Sequence, residues 1–158
     1  MKKEDIFKLI ISVALPLLAG FIGSYFTTPG VTGWYAELSK PALNPPSWVF
    51  APAWTTLYLL MGVALFLVWR KKKEGKNIRA AIGMFGVQLF LNGTWSFVFF
   101  GMENPQMALV NIVLLWLAIV FTIYLFYKIS RPASYLLFPY LLWTGFAAYL
   151  NYMILILN

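Results

Sequence analysis

Gln88, Asn92, Trp95 and Ser96 fall at i, i+4, i+7 and i+8, which is one face of a helix. A carboxamide turned to hydrocarbon leaves its donors and acceptors unpaired at high cost. In an apolar stretch this face must point into a bundle, either to hydrogen-bond neighbouring helices or to line a cavity. Phe50, Trp54, Tyr58 and Met61 share a second face, and Pro139, Trp143, Phe146, Ala147 and Asn151 a third. The chain has seven tryptophans. Indole and phenol rings with a few amides would suit a pocket for a flat, apolar ligand carrying a few polar groups.

Other chemistry is excluded by composition. There is no histidine and no cysteine, so zinc sites of the usual kind, thiol chemistry, histidine general bases and the commonest haem-iron ligands are unavailable. No cofactor is expected to be required. No Asp, Glu, Lys or Arg falls in the middle of an apolar stretch, which argues against an ion-driven transporter. No phosphate-binding glycine loop or nucleophile–base pair can be assembled.

These faces need elements to carry them. Of the 158 residues, 61% are hydrophobic and 11% charged, against roughly 45–50% and about 25% in soluble domains. So small a chain could not bury that much apolar surface in water, and lipid is the solvent that fits. A span needs about 20 apolar residues. Five are predicted, over 6–26, 48–69, 80–101, 106–127 and 134–157, forming one all-α transmembrane domain. The first is too long for a signal peptide and lacks a small-residue cleavage site at Tyr25-Phe26-Thr27. Its Ala19, Gly20, Gly23 and Ser24 read as a helix-packing stripe, and Pro16 as a kink. Gly83 and Val87, opposite the amide face of the third span, read as a dimer contact.

The net charge of +7 is no nucleic-acid footprint, because the cations sit in short clusters between spans. Lys2, Lys3, Lys8, Arg70, Lys71, Lys72, Lys73, Lys76, Arg79, Lys128 and Arg131 all fall on one side, and Lys40 alone on the other. Lys/Arg bias sets orientation, so the N-terminus is expected in the cytoplasm and the C-terminus opposite. The one long connection, 27–47, holds Trp34, Tyr35, Pro41, Pro45 and Pro46. Proline restricts the backbone and lowers the entropy cost of ordering, so this segment is expected to form an ordered lid over the outer mouth.

Three stretches taken together resemble the TspO/MBR family of tryptophan-rich sensory and translocator proteins, the latter also called peripheral-type benzodiazepine receptors. They are Trp34-Tyr35 … Leu38 … Lys40-Pro41 … Pro45-Pro46 … Phe50 … Pro52 … Trp54 … Leu57-Tyr58 … Met61-Gly62, then Gln88 … Asn92 … Trp95-Ser96, and Pro139-Tyr140 … Trp143 … Phe146-Ala147 … Leu150-Asn151. The resemblance implies a homodimer of five-helix bundles in a bacterial plasma membrane, the mitochondrial outer membrane being the alternative. It implies binding of porphyrins such as protoporphyrin IX, sterols and benzodiazepine-type drugs in a pocket under the first loop. By matching positions the lining would be Tyr35, Pro41, Pro45, Trp54, Tyr58, Gln88, Asn92, Trp95, Ser96, Trp143, Phe146 and Ala147. It also implies light- and oxygen-dependent breakdown of protoporphyrin IX, with Trp54 and Trp143 as the participating indoles. Two positions depart from the pattern. Asn111 stands where many relatives have aspartate, and Leu150-Asn151-Tyr152 lacks the following cation of the animal sterol pattern. Three functions stay open: a sensor or carrier that binds a tetrapyrrole, with Lys40 or the mouth amides near its carboxylates, an enzyme that degrades it, and a facilitated transporter.

Overall fold

A computed structural model describes residues 3–158, so Lys2 of the charge argument lies outside it. Among the described residues there are helices and no strands. Five segments are long and apolar enough to cross a membrane. The chain is a multi-pass membrane protein. Helix α1 is Lys3–Thr32, the short α2 is Trp34–Glu37, and α3 is Phe50–Arg70. Helix α4, Arg79–Ser96, continues through a wider π-helical turn at Phe97–Gly101. Helix α5 is Pro105–Ile129, α6 is Arg131–Tyr135 and α7 is Phe138–Leu157.

The helices do not pack in chain order. Helix α1 lies between α3 and α4, α4 packs on α5, α5 on α7, and α3 closes the ring against α6 and α7. The closest approach joins α1 to α3. A Cβ on Gly62 would come within 2.6 Å of the Val13 backbone, so only glycine permits the contact. The core beneath the ring is apolar, with Met61, Ala64, Val68, Ile112, Leu115, Ile119 and Phe126 almost fully buried. Phe7, Ile10, Phe21, Phe90, Val110 and Leu142 face outward, as lipid requires and water would not.

Two boundaries differ from the sequence reading, each for a local reason. Helix α1 runs past Phe26 to Thr32 despite Pro29. The Thr27 hydroxyl donates to the Gly23 carbonyl at 3.0 Å. Gly30 is buried beneath the Phe100 ring, with no room for a Cβ. Tertiary packing therefore holds a turn that proline alone would weaken, and the loop proper starts at Gly33. At the other end the fifth span is split. Pro132 starts α6 and Pro139 starts α7, each in the first helical turn where its missing N–H costs nothing.

The basic residues gather at one end of the bundle. The Lys73 ammonium, in the turn after α3, lies 2.9 Å from Glu4 and 3.2 Å from Asp5 at the start of α1. The Lys76 ammonium donates to the Ile129 carbonyl at the end of α5 at 3.1 Å. Lys40 stands at the other end. The segment there is tied down rather than loose. The Ser39 backbone N–H donates to the side-chain oxygen of Asn158 at 2.9 Å, and the Asn158 amide returns a bond to the Ser39 carbonyl at 3.1 Å.

Candidate functional site

A chamber of about 570 Å³ lies inside the ring at the end away from the basic cluster. All five long helices contribute to its wall. Helix α4 supplies Asn92, Trp95 and Ser96, and its widened last turn adds Phe99 and Phe100. Helix α3 supplies Phe50, Trp54 and Tyr58, and α7 supplies Ala147, Leu150, Asn151 and Ile154 at helical spacing. Tyr35 of α2 closes the top.

The rings are fixed against one another. Trp54 stacks on Tyr58 with centroids 5.7 Å apart and planes 26° apart. Trp95 stacks on Phe99 at 5.1 Å and 22°. Trp34 and Tyr35 of the cap meet Phe99 at 5.6 and 6.1 Å. The Tyr35 hydroxyl donates to Asn44 Oδ1 at 2.8 Å, and the Asn44 N–H donates to the Pro41 carbonyl at 2.9 Å. Burial pushes the Tyr35 phenol above its usual pKa, with the Asn44 bond pulling weakly the other way.

Polar groups in the wall are joined in a directed chain. The Tyr58 hydroxyl donates to Asn92 Oδ1 at 2.9 Å, and Asn92 Nδ2 donates to the Tyr140 hydroxyl at 3.0 Å. Tyr140 donates in turn to Gln88 Oε1 at 2.8 Å. Each amide and phenol is thereby locked in one orientation. The chain ends at Gln88 Nε2, which is buried and has no partner. A second pair orients the far wall, where Trp95 Nε1 donates to Asn151 Oδ1 at 3.1 Å and Asn151 Nδ2 donates to the Pro105 carbonyl at 2.8 Å. Asn111, behind the wall, donates to the Thr94 hydroxyl at 2.9 Å and leaves its buried Oδ1 unpaired. Among the described residues no lysine, arginine or carboxylate lines the chamber. Among the described residues no cluster could hold a metal ion.

Of the twelve lining residues that the resemblance implied, the wall brings together Tyr35, Trp54, Tyr58, Asn92, Trp95, Ser96 and Ala147. Five others stand behind it. Gln88 is the buried end of the hydrogen-bond chain. Trp143 packs edge-on against Phe50 at 6.1 Å and beside Phe146 at 5.8 Å, with its Nε1 buried and unpaired. Pro41 and Pro45 shape the cap without reaching the chamber, since they set the turn that accepts from Asn44. Lys40 is held in the cap as well. Its ammonium donates to the Ala36 and Leu38 carbonyls at 3.1 and 3.2 Å and lies 5.0 Å from the Tyr35 ring centroid.

Sequence reasoning missed the α1 wall, where Leu17, Gly20, Phe21, Ser24, Thr27 and Thr28 line the chamber. The stripe read as packing does both tasks. Gly20 accepts the Tyr58 ring where a Cβ would collide with it, and Gly23 faces Ser96. The run of Ser24, Thr27 and Thr28 was the available signal. Tyr140, 1% exposed and central to the hydrogen-bond chain, gave none beyond its place beside Pro139. Because Phe21, Ser24, Thr28, Ala51 and Thr55 are exposed as well as lining, the chamber is open sideways between α1 and α3.

Comparison with known proteins agrees with this architecture. The pattern of the TspO/MBR family matches residues 12–157. The chain is 45% identical over 155 residues to the tryptophan-rich protein TspO of Chlorobaculum tepidum, covering 98% of each chain. It is 40% identical over 141 residues to the human translocator protein, covering 88% of this chain and 83% of that one. To the tryptophan-rich sensory protein of Cereibacter sphaeroides it is 38% identical over 125 residues, covering 79% and 77%. With a matched pattern across nearly the whole chain and full-length relatives in bacteria and mammals, the chain belongs to the TspO/MBR family.

Proposed function

We propose that this protein is a membrane receptor or carrier that binds protoporphyrin IX-type tetrapyrroles, and benzodiazepine-type drugs, in the chamber under α2. The observation that carries the reading is the chamber itself: aromatic walls, a few oriented amides and no charge. Its volume of about 570 Å³ falls within the roughly 300–1,000 Å³ of small-molecule pockets. A macrocycle offers a broad flat face for Trp54 and Trp95, and its polar edge would meet Asn92, Ser96 or Asn151. The basic end, carrying Lys3, Lys8, Lys73 and Arg131, would face the cytoplasm of a bacterial cell. Helix α4 presents Gly83, Gly86 and Gly93 to open space, which supports a homodimer through that face, since small residues let helices approach closely in lipid.

The test is a titration with protoporphyrin IX in the dark, followed by quenching of tryptophan emission. Saturable quenching is expected, with Trp54→Ala weakening affinity at least several-fold while insertion is unchanged. Equal affinity in wild type and Trp54→Ala would remove the chamber as the site.

A second reading, photo-oxidative degradation of the bound porphyrin, is favoured by the two indoles, Trp54 and Trp95, in the wall. Porphyrin illuminated in air with protein, without protein, and with Trp54→Phe discriminates the two. Spectral change at the same rate in all three would leave binding alone. Trp143, behind Phe50, would act only through another ring.

A further inference from the structure

At the opposite end of the bundle from the chamber lies a second cleft, of about 470 Å³, lined by Leu67, Arg70, Lys71, Glu74, Ser130 and Arg131 with the side chains of Ile129 and Pro132. We propose that this cleft binds the phosphate headgroup of an anionic phospholipid. Glu74, the one carboxylate lining the cleft among the described residues, accepts from the Lys71 ammonium at both oxygens, at 2.8 and 2.9 Å. Arg70 and Arg131 have no carboxylate partner among the described residues. Each guanidinium instead lies near an aromatic ring, Arg70 at 5.5 Å from the Phe66 centroid and Arg131 at 5.4 Å from Tyr127. The cleft therefore holds two guanidinium groups from different helices, α3 and α6, neither in an ion pair among the described residues, although Arg70 adds weakly to the hold that Lys71 has on the Glu74 carboxylate.

A planar guanidinium matches two phosphate oxygens at once. Ser130, 9% exposed, lines the same cleft as the two arginines. It contributes to the cleft wall, and its hydroxyl makes no hydrogen bond among the described residues. The hydroxyl itself is accessible rather than buried, so it is free to donate to an anion in the cleft. The remaining wall is apolar, from Leu67, Ile129 and Pro132. Cations alone would be explained by topology, since a Lys/Arg excess orients the chain wherever the residues point. Topology does not require convergence on one cleft, an unbonded hydroxyl on its wall or an apolar floor. Those three are what a phosphate continuing into acyl chains needs, and basic pockets between spans suit anionic headgroups. A free phosphate ion shares the chemistry of the headgroup but has no use for the floor.

Native mass spectrometry in neutral detergent tests this with three additions: a phosphatidylglycerol, a phosphatidylcholine and inorganic phosphate. Wild type is expected to retain the phosphatidylglycerol in preference to the phosphatidylcholine, and inorganic phosphate should not displace it. Arg70→Gln/Arg131→Gln should lose the preference. Lys72→Gln/Lys128→Gln removes the same charge outside the cleft and should keep it. Ser130→Ala, a milder change, should weaken retention by about threefold, the loss of one hydrogen bond. Dark porphyrin quenching at the far end checks that each variant is folded. Equal loss in both double variants would reduce the effect to general surface charge and overturn the proposal. So would displacement by inorganic phosphate, or retention unaffected by the arginine changes.

Discussion

Asn92 has the most to lose of any single residue. It accepts from Tyr58 and donates to Tyr140, so Asn92→Ala strands the Tyr58 hydroxyl in a buried site. Leaving a buried group unpaired costs about 1–3 kcal/mol, and a loss of that size is expected in detergent unfolding, together with weaker porphyrin quenching. Tyr58→Phe deletes a donor whose acceptor, Asn92 Oδ1, faces the chamber. A smaller loss, about 1 kcal/mol, is expected there. Identical stability in both variants would mean the hydrogen-bond chain contributes nothing. The same inventory predicts the response to pH. The titratable groups in the wall are the phenols of Tyr35 and Tyr58. An ordinary phenol titrates near 10, and burial moves that of Tyr35 further up. Its neutral form is therefore the folded one below that range, and any stability from its burial is lost only as pH rises through the raised value. Quenching by an uncharged benzodiazepine-type ligand is expected to be flat from about pH 5 to 8. A step near neutrality would place an unrecognised group at the site.

Elements set where those residues stand. The cap is a short helix and a turn, held to the end of α7 by the Ser39–Asn158 pair of hydrogen bonds and to α4 by Trp34 and Tyr35 on Phe99. Asn158→Ala cuts the first attachment and leaves the aromatic one. Faster hydrogen exchange is expected over 36–44, with α4 unaffected. Exchange unchanged in that segment would show that the rings alone hold the cap. Helix α4 has two distinct faces: Asn92, Trp95 and Ser96 inward, and Gly83, Gly86 and Gly93 toward open space. If the proposed dimer uses the glycine face, Gly86→Leu should shift the protein to monomer in cross-linking and size measurements. The monomer should still bind porphyrin, because Gly86 is remote from the chamber wall.

For the whole molecule the ring order matters most. Placing α1 between α3 and α4 gives the chamber one wall of small residues and leaves a lateral opening between α1 and α3. Ligand would then enter from the bilayer rather than through the cap. Thr55→Trp narrows that opening without altering the rings that grip the ligand. Both association and release of protoporphyrin IX are expected to slow together, with affinity little changed, in stopped-flow quenching. Association and release both unchanged would favour passage through the cap. The chain has no cysteine, so Thr55→Cys also permits labelling of the opening by a membrane-soluble maleimide.

Much of this was legible from residue types alone. The solvent of the protein and the existence of five spans follow from apolar runs longer than a bilayer is thick. The inward face of α4 follows because an amide in hydrocarbon has nowhere else to turn. Proline spacing led to the expectation of an ordered cap, whereas where α1 ends depended on Gly30 packing beneath Phe100, a contact from 70 residues further along the chain. Depth was what sequence could not supply. Gln88 and Asn92 lie one helical turn apart, yet one ends a buried hydrogen-bond chain while the other lines the chamber. Trp54 and Trp143 are alike in sequence, and only packing puts Phe50 against Trp143. Periodicity specifies direction around a helix axis, whereas ring order and the relative height of neighbouring helices decide which inward residues meet empty space.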